Sequence, residues 1–136
     1  MSYKNTFIEI SPDSAATKSL APTSTRTKKP AHIIQYELLT QNPYTFNHEE
    51  LVFEVYVRHK EIPEAELADY HDKIWHELHS KGHPCMRAST LTKKFGWGSH
   101  YNSEGKIALY GMDSSEYANF VEDEETKNLL GMRSKR

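Results

Sequence analysis

Residues 71–100 gather side chains that can ligate metal, attack electrophiles or stack on a ligand: five of the chain's eight histidines (His71, His76, His79, His83, His100), its one cysteine, Cys85, and both tryptophans, Trp75 and Trp97. Zinc is the first chemistry to test. At about 100° per residue, Asp72, His76 and His79 fall within about 60° of one another on a helix, opposite a stripe of Leu67, Ile74 and Leu78. Two histidines three positions apart can share a metal if a third ligand comes from elsewhere, such as His83 or Cys85. The spacing His-x2-His-x3-His-x-Cys fits no established zinc pattern, and Gly82 and Pro84 carry the last two ligands off the helical path. A protonated imidazole near a helix C-terminus is already favoured by the negative end of the dipole. His76 and His79 are therefore read as a solvated face, His71 as a histidine of the apolar stripe, and neither a metal nor another cofactor is expected.

Two downstream segments carry more. If Cys85-Met86-Arg87-Ala88-Ser89 is extended, Cys85, Arg87 and Ser89 share one face. A guanidinium two residues from a thiol favours the thiolate and can grip a carboxylate or phosphate in a forked pair. The plainer alternative is a small buried cysteine beside a structural arginine. In Phe95-Gly96-Trp97-Gly98-Ser99-His100, alternation puts Gly96, Gly98 and His100 together, so the glycines leave open surface beside the imidazole or mark tight packing of another segment. Trp97 projects from the opposite face. Were the sheet to bring His100 against Cys85, a thiol nucleophile with a histidine base would result.

The elements that must position these residues follow from pattern and caps. Thr6-Phe-Ile-Glu-Ile10 reads as a strand. Residues 11–30 hold three prolines and one large aliphatic residue, with a charge of about +3 from Lys18, Arg26, Lys28 and Lys29 against Asp13; they are expected to be a mobile surface loop. After Pro30, the spacing of Ile33, Ile34, Tyr36, Leu38 and Leu39 predicts a buried helix that Asn42-Pro43 closes. Leu51–Val57 suits strand or helix by composition, and the capping pair Asn47/Glu50 decides for helix. Pro63 opens a third helix, ended by Lys81-Gly82. Segments at about 95–102 and 106–112 read as antiparallel strands joined by a turn at Asn102–Gly105. Asp113-Ser-Ser-Glu116 then caps a last helix carrying Tyr117, Phe120 and Val121.

Composition limits the function. A chain of 136 residues is expected to form a single domain, 1–136. A formal net charge of −2 provides no general field for phosphate, so no nucleic-acid partner is expected. No apolar run matches a signal-peptide core or a membrane span, and a lone cysteine suits a reducing compartment, so the expectation is a soluble cytoplasmic protein with no membrane partner. No oligomeric state follows from the residues.

Thr6–Ile10, Pro84-Cys-Met-Arg-Ala-Ser89, Gly96-Trp-Gly-Ser-His100, Gly105–Tyr110 and Met132-Arg-Ser-Lys-Arg136 together make the chain resemble a family of small microbial proteins classified as a domain of unknown function. The resemblance spans nearly the whole chain. It implies a self-contained domain, supplies no activity or cofactor, and runs its motifs through Cys85, Arg87, Trp97 and His100 rather than His76 and His79.

The expected architecture is α+β: a small antiparallel sheet of about three strands, covered by three or four helices, with 85–90 extended beside it. The expected function is a binding module in which Arg87 and Ser89 recognise a small anionic or polar ligand while Trp97 and His100 wall the pocket. That reading requires Arg87 and His100 to share a face. Its rivals are a thiol-dependent enzyme using Cys85 and His100, and a protein-interaction module using the basic tail Arg133, Lys135 and Arg136.

Overall fold

A computed structural model describes residues 3–134. Four strands and five helices follow one another along them: β1 (Thr6–Glu9), α1 (Ala31–Gln41), α2 (His48–His59), α3 (Glu64–Leu78), α4 (Thr90–Lys94), β2 (Trp97–Tyr101), β3 (Ile107–Gly111), α5 (Ser115–Glu122) and β4 (Lys127–Leu130). The class is α+β, and the sheet is larger than pattern predicted. Its order is β3-β2-β1-β4. The β1–β2 and β2–β3 pairs are antiparallel, while β4 lies parallel to β1 at the edge, which makes the sheet mixed. A parallel neighbour needs a crossover, and α5 supplies it between β3 and β4.

Local chemistry accounts for most boundaries. Asn47 accepts from the Glu50 amide while Glu50 accepts from the Asn47 amide, a complete capping box that starts α2 and settles the ambiguous 51–57 run as helix. Ser114 caps α5 by accepting from Tyr117 N. In the β2–β3 turn, the Asn102 side chain accepts from both Glu104 N and Lys106 N. α1 ends where Asn42 leaves helical geometry before Pro43. α3 stops at Leu78, with a break at Tyr70, and no residue of it is fully buried. His71 is correspondingly not a core residue: it is exposed and bonds Asp72.

One expectation fails for a local reason. Residues 85–90 are not extended: Met86–Ala88 form one 3-10 turn, and Ser89 caps α4 by accepting from Leu91 N. A serine that can satisfy a helix N-terminus competes with continued extension. The segment 11–30, expected to be mobile, contains no helix or strand; Leu20 N bonds Phe95 O, the Trp97 indole donates to Leu20 O, and Ser19 donates to Asp113.

Strand alternation splits the sheet into two unlike faces. On one, Ile8, Tyr101 and Ile107 bury against Ile34, Leu38 and Leu39 of α1, Leu51 of α2, and Met86 and Leu91. Burying each such aliphatic side chain stabilises by roughly 1.5–3 kcal/mol. Trp97 belongs to this face and meets Tyr36 edge-on. On the other, Phe7 and His100 stand opposite each other in the ladder. There α5 covers them, with Phe120 stacked 5.0 Å from Phe7 and 4.1 Å from His100.

Candidate functional site

The two faces decide which candidate residues can meet. Met86 N donates to the Tyr101 hydroxyl, so the turn bearing Cys85 sits over the Tyr101 face of β2. His100, one residue earlier, points to the opposite face beneath α5. The Cys85–His100 pair is therefore not assembled. Nor is an Arg87/Trp97/His100 pocket. The Arg87 Nε donates to Leu130 O at 2.8 Å and its carbonyl accepts from Met132 N, which ties it to β4, two strands away from His100. Trp97 is held by Leu20 and Tyr36.

The open surface expected beside His100 is filled. A β-carbon on Gly98 would lie 2.6 Å from Phe7 and 2.7 Å from Tyr117, so the absent side chain is what lets α5 pack. Gly96 has φ +78°, with the Lys18 carbonyl where a β-carbon would go. His100 Nδ1 lies 2.8 Å from the Tyr44 hydroxyl, which lies 2.9 Å from the Tyr110 hydroxyl. Burial lowers the His100 pKa and raises that of Tyr44. With imidazole neutral, the arrangement pairing all three groups has Tyr110 donating to Tyr44 and Tyr44 donating to Nδ1. Tyr44 holds this place at φ +56°, a conformation bulky residues rarely adopt. The His100 cluster is an interlock between β2, β3, α5 and the 43–46 loop.

What the fold does bring together lies around Cys85. A cavity of about 350 Å³ opens between α1, α2, the end of α3 and the 83–90 segment, and both Cys85 and Ser89 line it. Leu51, Val52 and Val55 of α2 give it an apolar wall, and Gln35, Tyr56 and four histidines (His32, His48, His59 and His83) give it polar groups. Among the described residues, no carboxylate lines it.

Hydrogen bonds and burial set the state of several of these groups. Ser89 donates to Gln35 Oε1 at 2.7 Å, which leaves the Gln35 amide N–H groups without a partner among the described residues. The His83 Nε2–H donates to Leu78 O at 2.6 Å, which fixes its tautomer and leaves Nδ1 as acceptor. His48 is only 7% exposed, and it lines the cavity. Burial is the main cause that lowers its pKa, with the Glu49 carboxylate opposing and the nearby His83 and His79 imidazoles adding smaller contributions. Cys85 is half-buried, with its sulfur 3.6 Å from the Tyr3 hydroxyl. Burial and the thiol push the Tyr3 phenol up, while the Arg87 guanidinium opposes them.

Pattern missed His48, Gln35 and His32 because they are scattered on two helices whose docking sequence spacing does not report. One signal was present: His48 directly follows the Asn47 cap, at a position that a capping box forces into the first turn. Of the helical histidines, His76 is exposed, but His79 is not a solvated residue. Its ring packs 4.4 Å from Trp75, and its Nε2 is buried without a partner among the described residues. No group of three or more His, Cys, Asp or Glu side chains is placed to hold a metal ion among the described residues. No described helix is long and apolar enough to cross a membrane. Lys135 and Arg136 of the basic tail lie outside the described residues.

The family described as a family of unknown function (DUF6157) has a model that matches residues 1–136, and the chain belongs to it. No curated protein and no solved structure matches the chain.

Proposed function

We propose that this member of the family of unknown function is a small-ligand-binding protein whose site is the Cys85–Ser89 cavity rather than the Arg87/Trp97/His100 surface. One observation carries the reading: His48, 7% exposed, lines a cavity of about 350 Å³ with five residues of the Pro84–Ser89 motif. Its imidazole brings hydrogen-bonding nitrogens to the wall of the cavity, where a ligand can pair with them. The volume sits at the small end of the ~300–1,000 Å³ range of ligand pockets. Leu51, Val52 and Val55 suit the apolar part of a ligand, and His48, Gln35 and Cys85 its polar end.

The test is a ligand-observed NMR screen of small acids, amides and alcohols against the wild type and Val52→Trp, which fills the apolar wall. Hits lost in the variant, with its melting temperature kept within a few degrees, support the reading. Hits indifferent to the filling, or an absence of hits, overturn it.

A second reading, a thiol-dependent enzyme, is favoured by the shared cavity of Cys85, His48 and His83. His48, not His100, would then be the base. Iodoacetamide alkylation measured against pH tests it, and reaction only above about pH 8 at an ordinary thiol rate removes it.

A further inference from the structure

We infer that two copies of this chain pair through the outer edge of β4, antiparallel across a two-fold axis, and so join their sheets at a surface separate from the cavity. β4 ends the sheet and has β1 on one side only. Lys127 N donates to Asn5 O and Gly131 N to Glu9 O, so by alternation Asn128 and Leu130 turn their backbone groups away from β1. The Arg87 Nε takes Leu130 O. The Asn128 N–H and C=O and the Leu130 N–H have no such partner among the described residues, and open edge groups of this kind are a template for another chain.

Setting Asn128 against its own counterpart uses all three groups at once. In that register the Asn128 N–H and C=O exchange two bonds with Asn128 of the second copy, and each Leu130 N–H meets the Thr126 carbonyl opposite. The groups left facing each other, Thr126 N and Leu130 O, are both occupied within the chain already, by Asp123 O and by Arg87.

Side chains and charge fit the same partner. Val121, Leu130 and Met132 are three of the five large hydrophobic residues exposed among the described residues. Leu130 shares the α5 face of β4 with Asn128, whose side chain donates to Phe120 O. Phe120 leans over Phe7, His100 and Tyr110, toward β3, so Val121, about 100° farther round α5, turns toward β4. A two-fold axis perpendicular to the sheet keeps both α5 helices on one face and brings Val121 and Leu130 of each copy to the seam. The strand is also charged oppositely at its two ends: the acidic run 122–125 precedes it, whereas Arg87 and Arg133 lie at its far end. Antiparallel pairing sets each acidic run against the arginines of the other copy. A surface whose donors, acceptors and charges complement themselves is what an isologous interface requires. An unrelated protein would need none of these self-relations.

The test is sedimentation velocity of the whole 136-residue chain at about 5–500 µM. The expected result is a reversible dimer, weakened at least about threefold when sodium chloride rises from about 50 to 500 mM and screens the end charges. Leu130→Lys places a charge on the seam and should weaken the dimer at least about tenfold, with the far-ultraviolet circular dichroism unchanged because Leu130 is 49% exposed. Arg133→Glu and Glu125→Arg should each weaken it about threefold, and the double swap should restore it to near the wild-type value. Both of these positions are exposed, so this arm stands even where Leu130→Lys fails to fold. A monomer throughout the range, or a dimer indifferent to Leu130→Lys and to both single charge reversals, overturns the inference. A dimer that the single reversals weaken and the double swap does not restore overturns the antiparallel pairing.

Discussion

Replacing Gly98 by alanine asks directly whether the glycines beside His100 leave room for a ligand or for packing. The backbone at Gly98 is not left-handed, so alanine strains no dihedral, and the outcome turns on space alone. A β-carbon there meets the Phe7 ring at 2.6 Å, the Tyr117 ring at 2.7 Å and the Ile8 carbonyl at 2.9 Å. These distances fall about 1 Å short of the ~3.5–4.0 Å at which carbon atoms attract. Two of the three obstacles are rings clamped between the sheet and α5, and the third is backbone, so none can swing aside. Overpacking of this kind costs roughly 1–3 kcal/mol. Against it stands a gain of about 0.4–1 kcal/mol from a less flexible unfolded chain, so the overlap wins. For a chain of this length the net loss lowers the melting temperature by about 3–10 °C. Gly82→Ala is the control, because nothing lies within 4 Å of its β-carbon and only the entropic gain remains. Urea denaturation should show a lower midpoint at an unchanged slope for Gly98→Ala, and an equal or higher midpoint for Gly82→Ala. In a double-mutant cycle, Phe7→Leu should recover part of the Gly98→Ala loss, since the two sites touch. Gly98→Ala within 1 °C of wild type, or strict additivity with Phe7→Leu, would refute the claim that α5 fills this surface.

Three further outcomes can be measured on the same instruments. At the end of α2, Ile62 N bonds Val57 O and Glu61 N bonds Arg58 O, a Schellman motif with Glu61 at φ +53° where glycine is preferred; Glu61→Gly should raise stability by up to about 1 kcal/mol, and a lower melting temperature would count against it. Tyr44→Phe removes the hydroxyl between His100 and Tyr110 and leaves two partly buried polar groups unpaired, which should cost roughly 1–3 kcal/mol by chemical denaturation; an unchanged midpoint would show that the relay does not stabilise. Burial lowers the folded-state pKa of His32, His48 and His100 below the ordinary value of about 6.5. The unfolded chain then binds more protons, so the melting temperature should be flat above pH 7 and fall as pH drops below about 6.5; a rise between pH 7 and 6 would contradict the burial of these rings.

How far the sequence was legible depends on the range of the physics involved. Features set within about five residues could be read: the Asn47/Glu50 box, the Ser114 cap, the Asn102–Gly105 turn, and the end of α1 before Pro43. β4 could not. Lys127–Leu130 is four residues long, with neither alternation nor β-branched residues, and it is a strand because the α5 crossover delivers it beside β1. α3 showed the opposite discrepancy. Its apolar stripe has the period of a core helix, yet Tyr70 stays 55% exposed because α3 meets the rest of the fold mainly where Phe53 touches His71 and Trp75. Periodicity reports which side chains share a face and not whether anything covers that face.

The candidate site shows the same limit in sharper form. Alternation correctly separated Trp97 from His100, but it says nothing about which face a neighbouring segment will cover. Tyr101 decides this, because its hydroxyl takes the Met86 amide and so draws the Cys85 turn onto the Trp97 face. Within the turn, Ser89 redirects the chain by capping α4, and Arg87 is spent on the carbonyl of Leu130. Cys85 and Ser89 still end together, through a curved segment rather than through a strand, and their cavity partners arrive from α1 and α2. Gln35 and His48 lie 50 and 37 positions before Cys85; they meet it because Ile34, Leu38 and Leu51 bury against one core and carry the adjacent polar positions to its rim. The motif therefore marks the right place for a reason other than the one its spacing suggests. Its chemistry is divided between holding β4 and lining a cavity, and only the second part is open to a ligand.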